Sequence, residues 1–201
     1  MGALNCKTLA ATFFLVITMV VASTAIGETE FKKVKLLTEI SLDVPAQWKL
    51  KVHEKSRSFT VEEVAKEKRT LLLAHSLSAN AMISVSLWPK KNGLNTKELE
   101  SMTAERLSKI KDGLAKGLSN SGELKVITIH DPVVMLVSGL PALVTGYLRA
   151  GADDPEDTWD VINILIPRPD LDVRISLSWS SKRDDYWSPV MIHVVKSFVT
   201  Y

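Results

Sequence analysis

Apolar side chains follow three rhythms along this chain, and each predicts a different element. The first is a near-continuous run, Leu9 to Val21, interrupted only by Thr12 and Thr18 and preceded by one positive charge at Lys7. Its length matches the apolar region of a secretory signal and falls short of the roughly 20 residues a membrane-spanning helix needs. Ser23-Thr24-Ala25 and Ala25-Ile26-Gly27 then offer small residues at the spacing a signal peptidase accepts. The expectation is a signal peptide over residues 1–25, cleaved near Ala25 or Gly27, and one mature domain over residues 28–201.

The second rhythm has period two. Leu36 to Pro45 alternates at Ile40, Leu42 and Val44, and Pro45 ends it before Trp48. Arg57 to Glu62, Thr70 to Ser76 and Ala81 to Trp88 continue it, the last setting Met82, Ser84 and Ser86 against Ile83, Val85 and Leu87. Together they predict an antiparallel meander. Leu124 to His130, Val133 to Ser138, Ala142 to Ala150, Trp159 to Pro167 and Val173 to Trp179 are further strands, rich in β-branched and aromatic residues and divided by turn residues.

The third rhythm is helical. Leu99, Met102, Thr103, Leu107, Ile110, Leu114 and Leu118 share one face, predicting a single helix from Thr96 to Leu118 with Asn95 or Thr96 as its cap and Gly122 beyond its end. Gly113 and Gly117 near that face predict close approach of another backbone. Ser188-Pro189 reads as the cap and first turn of a closing helix whose buried stripe is Val190, Met191, Val194, Val195 and Phe198. This order makes an α+β domain, a central antiparallel β-sheet flanked by helices that cover its apolar face.

Charge and cysteine usage narrow the classes. The net charge is +2 with both signs interspersed, which gives no long-range field for nucleic acid or an anionic membrane. Lys32-Lys33-Val34-Lys35 and Lys66-Glu67-Lys68-Arg69 are expected to be solvated faces. The one cysteine, Cys6, precedes the apolar run, where it is misplaced for lipid attachment and leaves with the signal. The mature chain then has no disulfide, thiolate or cysteine metal ligand, and hydrophobic packing must hold it. Roughly 175 mature residues suffice for that.

A family resemblance rests on turn and core positions. A strand ending in Val44-Pro45-x-x-Trp48, a long mid-chain helix, the Gly139-Leu140-Pro141 turn leading into Ala142 to Arg149, and a terminal helix ending Lys196-Ser197-Phe198 together resemble the PsbP-like superfamily. Mog-type Ran-binding proteins, PsbP subunits of photosystem II and exported bacterial proteins of the DcrB type belong to it. The resemblance, over roughly residues 36 to 200, implies a PsbP-like α/β/α sandwich used as a binding or assembly module without catalysis. It carries over no functional residue.

The densest chemistry lies in Asp153-Asp154-Pro155-Glu156-Asp157, followed by Asp160. Such carboxylates suit calcium, but the spacing is not that of a D-x-[DN]-x-[DN]-G loop, and a docking surface for a basic partner is the better functional reading. His53, His75, His130 and His193 form no H-x-x-x-H pair, and His130 beside Asp131 needs a third group brought in by the fold. Ser108-Lys109-Ile110-Lys111 fits S-x-x-K but sits inside a helix without the companion motifs. Nucleophile-elbow, phosphate-loop and dinucleotide signatures are absent. Trp48, Trp88, Trp159, Trp179 and Trp187 fall at strand ends, mostly as core, with Trp187 as the exposed exception.

The sequence therefore reads as a periplasmic accessory or binding protein. It is expected to act through contact with an envelope or periplasmic protein, without catalysis, cofactor, metal or nucleic acid. The candidate contacts are Asp153, Asp154, Glu156, Asp157 and Trp187. Three alternatives stay open: a small-molecule or lipid binder with a tryptophan-lined cleft, a periplasmic inhibitor or immunity protein against a toxic enzyme, and an enzyme with dispersed acidic catalytic residues.

Overall fold

The computed structural model describes residues 29–37, 39–52, 68–90, 94–121, 125–151 and 154–200. The expected strand Arg57 to Glu62 and the expected stop at Gly122 lie outside them. Two antiparallel sheets make up the strands. β1 (Phe31–Leu37) and β2 (Ile40–Pro45) form a hairpin that the terminal β11 (Val199–Thr200) extends into a three-stranded sheet. The lysines of β1 face solvent while Val34 and Leu36 point inward, so this basic run is a half-buried strand.

The larger sheet holds β3 (Lys49–Val52), β4 (Arg69–His75), β5 (Ala81–Pro89), β6 (Val126–Ile129), β7 (Val133–Val137), β8 (Leu140–Ala150), β9 (Thr158–Pro167) and β10 (Leu171–Ser180). Its order is β3-β4-β5-β10-β9-β8, with β6 and β7 both pairing along the outer side of β8. Ser138 (φ 53°) and Gly139 (φ 76°) form the two-residue turn between β7 and β8. Left-handed backbone at both positions is what a right-twisted two-residue hairpin requires, and glycine adopts it without Cβ strain.

Register makes one face of the large sheet apolar across β5, β9 and β10, as far as Asp160 at its end. Val173, Ile175 and Leu177 of β10 stand opposite Leu87, Val85 and Ile83 of β5 and opposite Ile166, Ile164 and Ile162 of β9. α3 (Asp184–Ser197) and the small sheet close this face, adding Leu42, Val44, Trp48, Val190, Met191, Val194 and Phe198 to the core. α3 is tied to β2 where the Asp43 N–H donates to Ser197 Oγ at 2.8 Å and His193 Nε2 lies 3.5 Å from Asp43 Oδ2.

The mid-chain helix is two helices, not one. α1 (Thr96–Glu100) opens with a reciprocal box, Asn95 Oδ1 accepting from Glu98 N–H and Glu98 Oε2 accepting from Asn95 N–H, each at 3.0 Å. It closes where Ser101 Oγ donates to the Lys97 carbonyl at 3.0 Å. Thr103, read as part of the apolar face, instead caps α2 (Ala104–Ser121), its Oγ1 accepting from Arg106 N–H at 3.3 Å. Two hydroxyl residues that compete for backbone groups thus break a continuous apolar period. Leu99 is buried against β8, whereas Leu107, Ile110, Leu114 and Leu118 of α2 are only half-buried.

Two further expectations are corrected. A Cβ at Gly113 or Gly117 would meet nothing within 4 Å, so these glycines mark no close helix contact. Pro189 lies inside α3 and not at its first turn, because the chain enters the helix earlier, through a 3₁₀ turn at Ser181–Arg183 capped by Ser180.

Candidate functional site

The acidic segment sits at the end of the large sheet where β8 turns into β9 and β10 leaves for α3. Asp154 Oδ1 accepts the Glu156 N–H at 3.0 Å, and its Oδ2 accepts from Lys182 Nζ at 3.1 Å. The Lys182 ammonium, followed by the Glu156 N–H, holds the Asp154 carboxyl below its ordinary range, and Asp154 raises Lys182 in return. Asp157 Oδ1 accepts from Ser180 Oγ at 2.7 Å, and the Asp157 carbonyl accepts from the Gly151 N–H at 2.6 Å. Asp154 and Asp157 therefore clasp the loop to the β10–α3 corner. Glu156 projects from it, exposed and without a side-chain hydrogen bond among the described residues. Asp153 lies outside the described residues.

The same end assembles a pair invisible in sequence. His130 Nε2 lies 2.9 Å from Asp160 Oδ1, and Ser181 Oγ donates to Asp160 Oδ2 at 3.4 Å. Here the carboxylate stands between imidazole and hydroxyl. Activating a serine needs the imidazole against the hydroxyl, so this order orients His130 without creating a nucleophile. Gly146 makes room for the ring, since a Cβ there would come within 2.9 Å of His130 Cδ2 and 2.6 Å of Ile162 Cδ1. A glycine in mid-strand was the one sequence signal for this approach. Asp131 turns away from His130 and accepts from Lys111 Nζ at 2.7 Å.

Trp187 is not exposed as expected. It is 5% accessible, stacked edge-on against Trp48 at 5.7 Å and Tyr186 at 4.6 Å, because α3 starts early enough to turn it into the core. Trp48 and Trp179 are buried as well. Trp88 and Trp159 are half-buried, and each lies under a cation.

Trp88 belongs to the opposite end of the sheet, on the face turned away from the main core. The Arg174 guanidinium lies 4.0 Å from its ring centre and Lys68 Nζ 5.0 Å. Its Nε1–H donates to the buried Ser86 Oγ at 2.9 Å. Asp172 stands directly opposite Trp88 across β5 and β10, is 3% accessible, and leaves Oδ1 without a hydrogen-bond partner. Arg174, two residues on, leaves its buried Nε likewise. Burial pushes the Asp172 carboxyl above its ordinary value despite the cations Lys90 and Arg174, and it lowers Arg174. Lys68 is exposed, as expected of a solvated face, and it also reaches over Trp88; Lys66 and Glu67 lie outside the described residues.

A third surface is apolar. β6 and β7 form the outer edge of the sheet, and among the described residues no strand pairs with their outer side. Ile127, Val133 and Met135 are 48%, 48% and 45% accessible and Leu136 67%. Val133 and Met135 point to one side of the strand and Leu136 to the other. Among the described residues no helix is long and apolar enough to cross a membrane.

The architecture has counterparts among solved structures. Cyanobacterial PsbP (CyanoP) from Synechocystis sp. PCC 6803 matches with a TM-score of 0.56 at 13% identity, over 88% of this chain and 95% of that one. LpqN, involved in cell envelope biogenesis of Mycobacterium tuberculosis, matches at 0.48 and 10% identity, again over 88% and 95%. The first likeness shows the fold: this is a PsbP-like α+β structure. No family model matches the sequence, and no curated protein does.

Proposed function

We propose that this chain is an exported periplasmic accessory protein that works by binding another envelope protein, without catalysis. The observation that carries the reading is the β6–β7 edge. An edge strand with open backbone groups and large apolar side chains on both sides is a template for pairing, and soluble proteins usually blunt such edges with charge. From Pro132 to Val144 this stretch carries no charged residue. The occupant it fits is an extended, uncharged segment of a partner, added as the next strand. Leu9 to Val21, with the small residues after it, supports export and cleavage near Ala25 or Gly27. Glu156, on the loop clasped by Asp154 and Asp157, is proposed as a flanking polar contact.

The test places a photo-crosslinking residue at Met135 or at Glu156 in the exported protein. A discrete adduct at Met135, reduced by Leu136→Lys and accompanied by slowed amide exchange across residues 133–137, is the expected result. Adducts at neither position, or a protein found only in the cytoplasmic fraction with its first 25 residues intact, overturn the reading.

A further inference from the structure

The face of the large sheet that carries Trp88 is built differently from the core face, and the difference points to a ligand. Asp172, Ser86 and Ser178 are buried there at 3%, 5% and 5% accessibility, with Ser176 Oγ donating to Asn163 Oδ1 at 2.7 Å beside them. A buried carboxyl with an unmatched oxygen costs stability unless something answers it, and hydrophobic replacement would be the simpler solution for a structural position. Alongside it, the Arg174 guanidinium carbon lies 4.0 Å from the Trp88 ring centre in a cation–π contact. A guanidinium over an aromatic ring can still present its planar fork of N–H groups, which binds two oxygens of one anion at once. No carboxylate among the described residues reaches that edge within 4.0 Å, and its Nε–H has no acceptor.

The charges around this edge are mainly positive. Lys68 lies over the same ring, and Lys90, near enough to bias both Asp172 and Glu98, donates at 2.6 Å to the Arg168 carbonyl at the neighbouring corner. Asp172 and Arg174 are on the same face of β10, about 7 Å apart along the strand. That separation keeps the carboxyl from closing on the arginine edge, which stays open to an external oxyanion.

We infer that Arg174, Asp172, Lys68 and Lys90, organised around Trp88, form a binding site for the oxyanion head of a ligand, a phosphate or a carboxylate. Arg174 supplies the bidentate fork, the two lysines add charge, and Trp88 anchors the guanidinium. Asp172, whose carboxyl burial raises above its ordinary value, borders the site, so anion affinity should strengthen as pH falls and its charge is lost. The inference does not rest on the edge-strand reading, because the site is on other strands and its readouts are separate.

The test titrates the purified protein at constant ionic strength with inorganic phosphate, with acetate, and with vesicles of phosphatidylglycerol against phosphatidylcholine, following tryptophan emission. A saturable change with at least one of the anionic probes is expected. In Arg174→Lys, which keeps the charge and loses the fork, affinity should fall about tenfold or more. Lys68→Ala, at an exposed position, should weaken binding about two- to fivefold, while Lys109→Ala on α2 should match the wild type. A response to free phosphate or acetate assigns a soluble ligand, and one confined to phosphatidylglycerol assigns a lipid headgroup; either supports the site. Should Arg174→Lys fail to fold by circular dichroism, Lys68→Ala and Lys90→Ala decide. Silence toward every anionic probe to about 10 mM, or an unchanged response in the variants, overturns it.

Discussion

The two faces of the large sheet follow opposite rules. On one, Ile83, Val85, Ile164, Ile175 and Leu177 are each at most 3% accessible and meet a complete second layer made by β1, β2 and α3. On the other, α1 buries Leu99 near Leu143, Tyr147 and Val161, α2 remains half-buried, and the ground over β5 and β10 is polar. The first face stabilises the fold. The second holds groups that only cost stability unless they are used, which is why it attracts a functional reading.

That contrast is sharpest in truncation. Ile175→Ala should destabilise the protein by about 2–5 kcal/mol in urea melts, whereas Leu114→Ala on the half-buried α2 should cost about 1 kcal/mol or less. Equal losses would erase the distinction. Next, Gly146→Ala should cost about 1–3 kcal/mol, since its Cβ has no room beside His130, Ile162 and the Val161 carbonyl. A neutral outcome would mean the His130 ring shifts freely.

Asp172→Asn tests the polar face through pH. The folded state raises this carboxyl above its ordinary 3.8, so the folded protein keeps the proton after the unfolded chain has released it. Stability from this group is then present below 3.8 and declines as pH rises through the raised value. The variant should remove that decline and equal or exceed the wild type at neutral pH. Loss of stability at every pH would instead make Asp172 a structural group. The smallest effect is expected for Asp154→Asn. Asp154 is held below its ordinary 3.8 by an exposed lysine, so its contribution is present above 3.8 and fades as pH falls through the lowered value. The small difference in melting temperature should disappear in about 1 M salt.

Local patterns were readable where one chemical rule acted alone. β4, β5, β8, β9 and β10 fall close to the segments that period-two alternation marks, since a strand with one dry face must alternate. The sequence left Asn95 and Thr96 as alternative caps, and the reciprocal bonds with Glu98 decide for Asn95. The break at Ser101 and Thr103 was hidden, because hydroxyl caps interrupt the backbone without disturbing the apolar period. Trp187 was misread as exposed for a similar reason: acidic neighbours suggested solvent, but the position of a side chain on α3 depends on where that helix begins.

The site followed the same division. Sequence marked Asp154, Glu156 and Asp157 as a cluster but not that Lys182 pairs with Asp154 and Ser180 donates to Asp157. It marked Trp88 as a strand-end aromatic with nothing to indicate Arg174, more than 80 residues later, stacked upon it.

By itself, then, the sequence determined the element types, the α+β class, the impossibility of an intrachain disulfide with a single cysteine and the turn at Gly139, because each follows from contacts among near neighbours or from composition. Tertiary structure alone decided which tryptophans are buried, that His130 meets Asp160, that Arg174 meets Trp88, and that β6 and β7 form an open apolar edge. Those facts depend on strand order and register, which juxtapose residues far apart in the chain and are fixed only when the whole apolar face is buried at once.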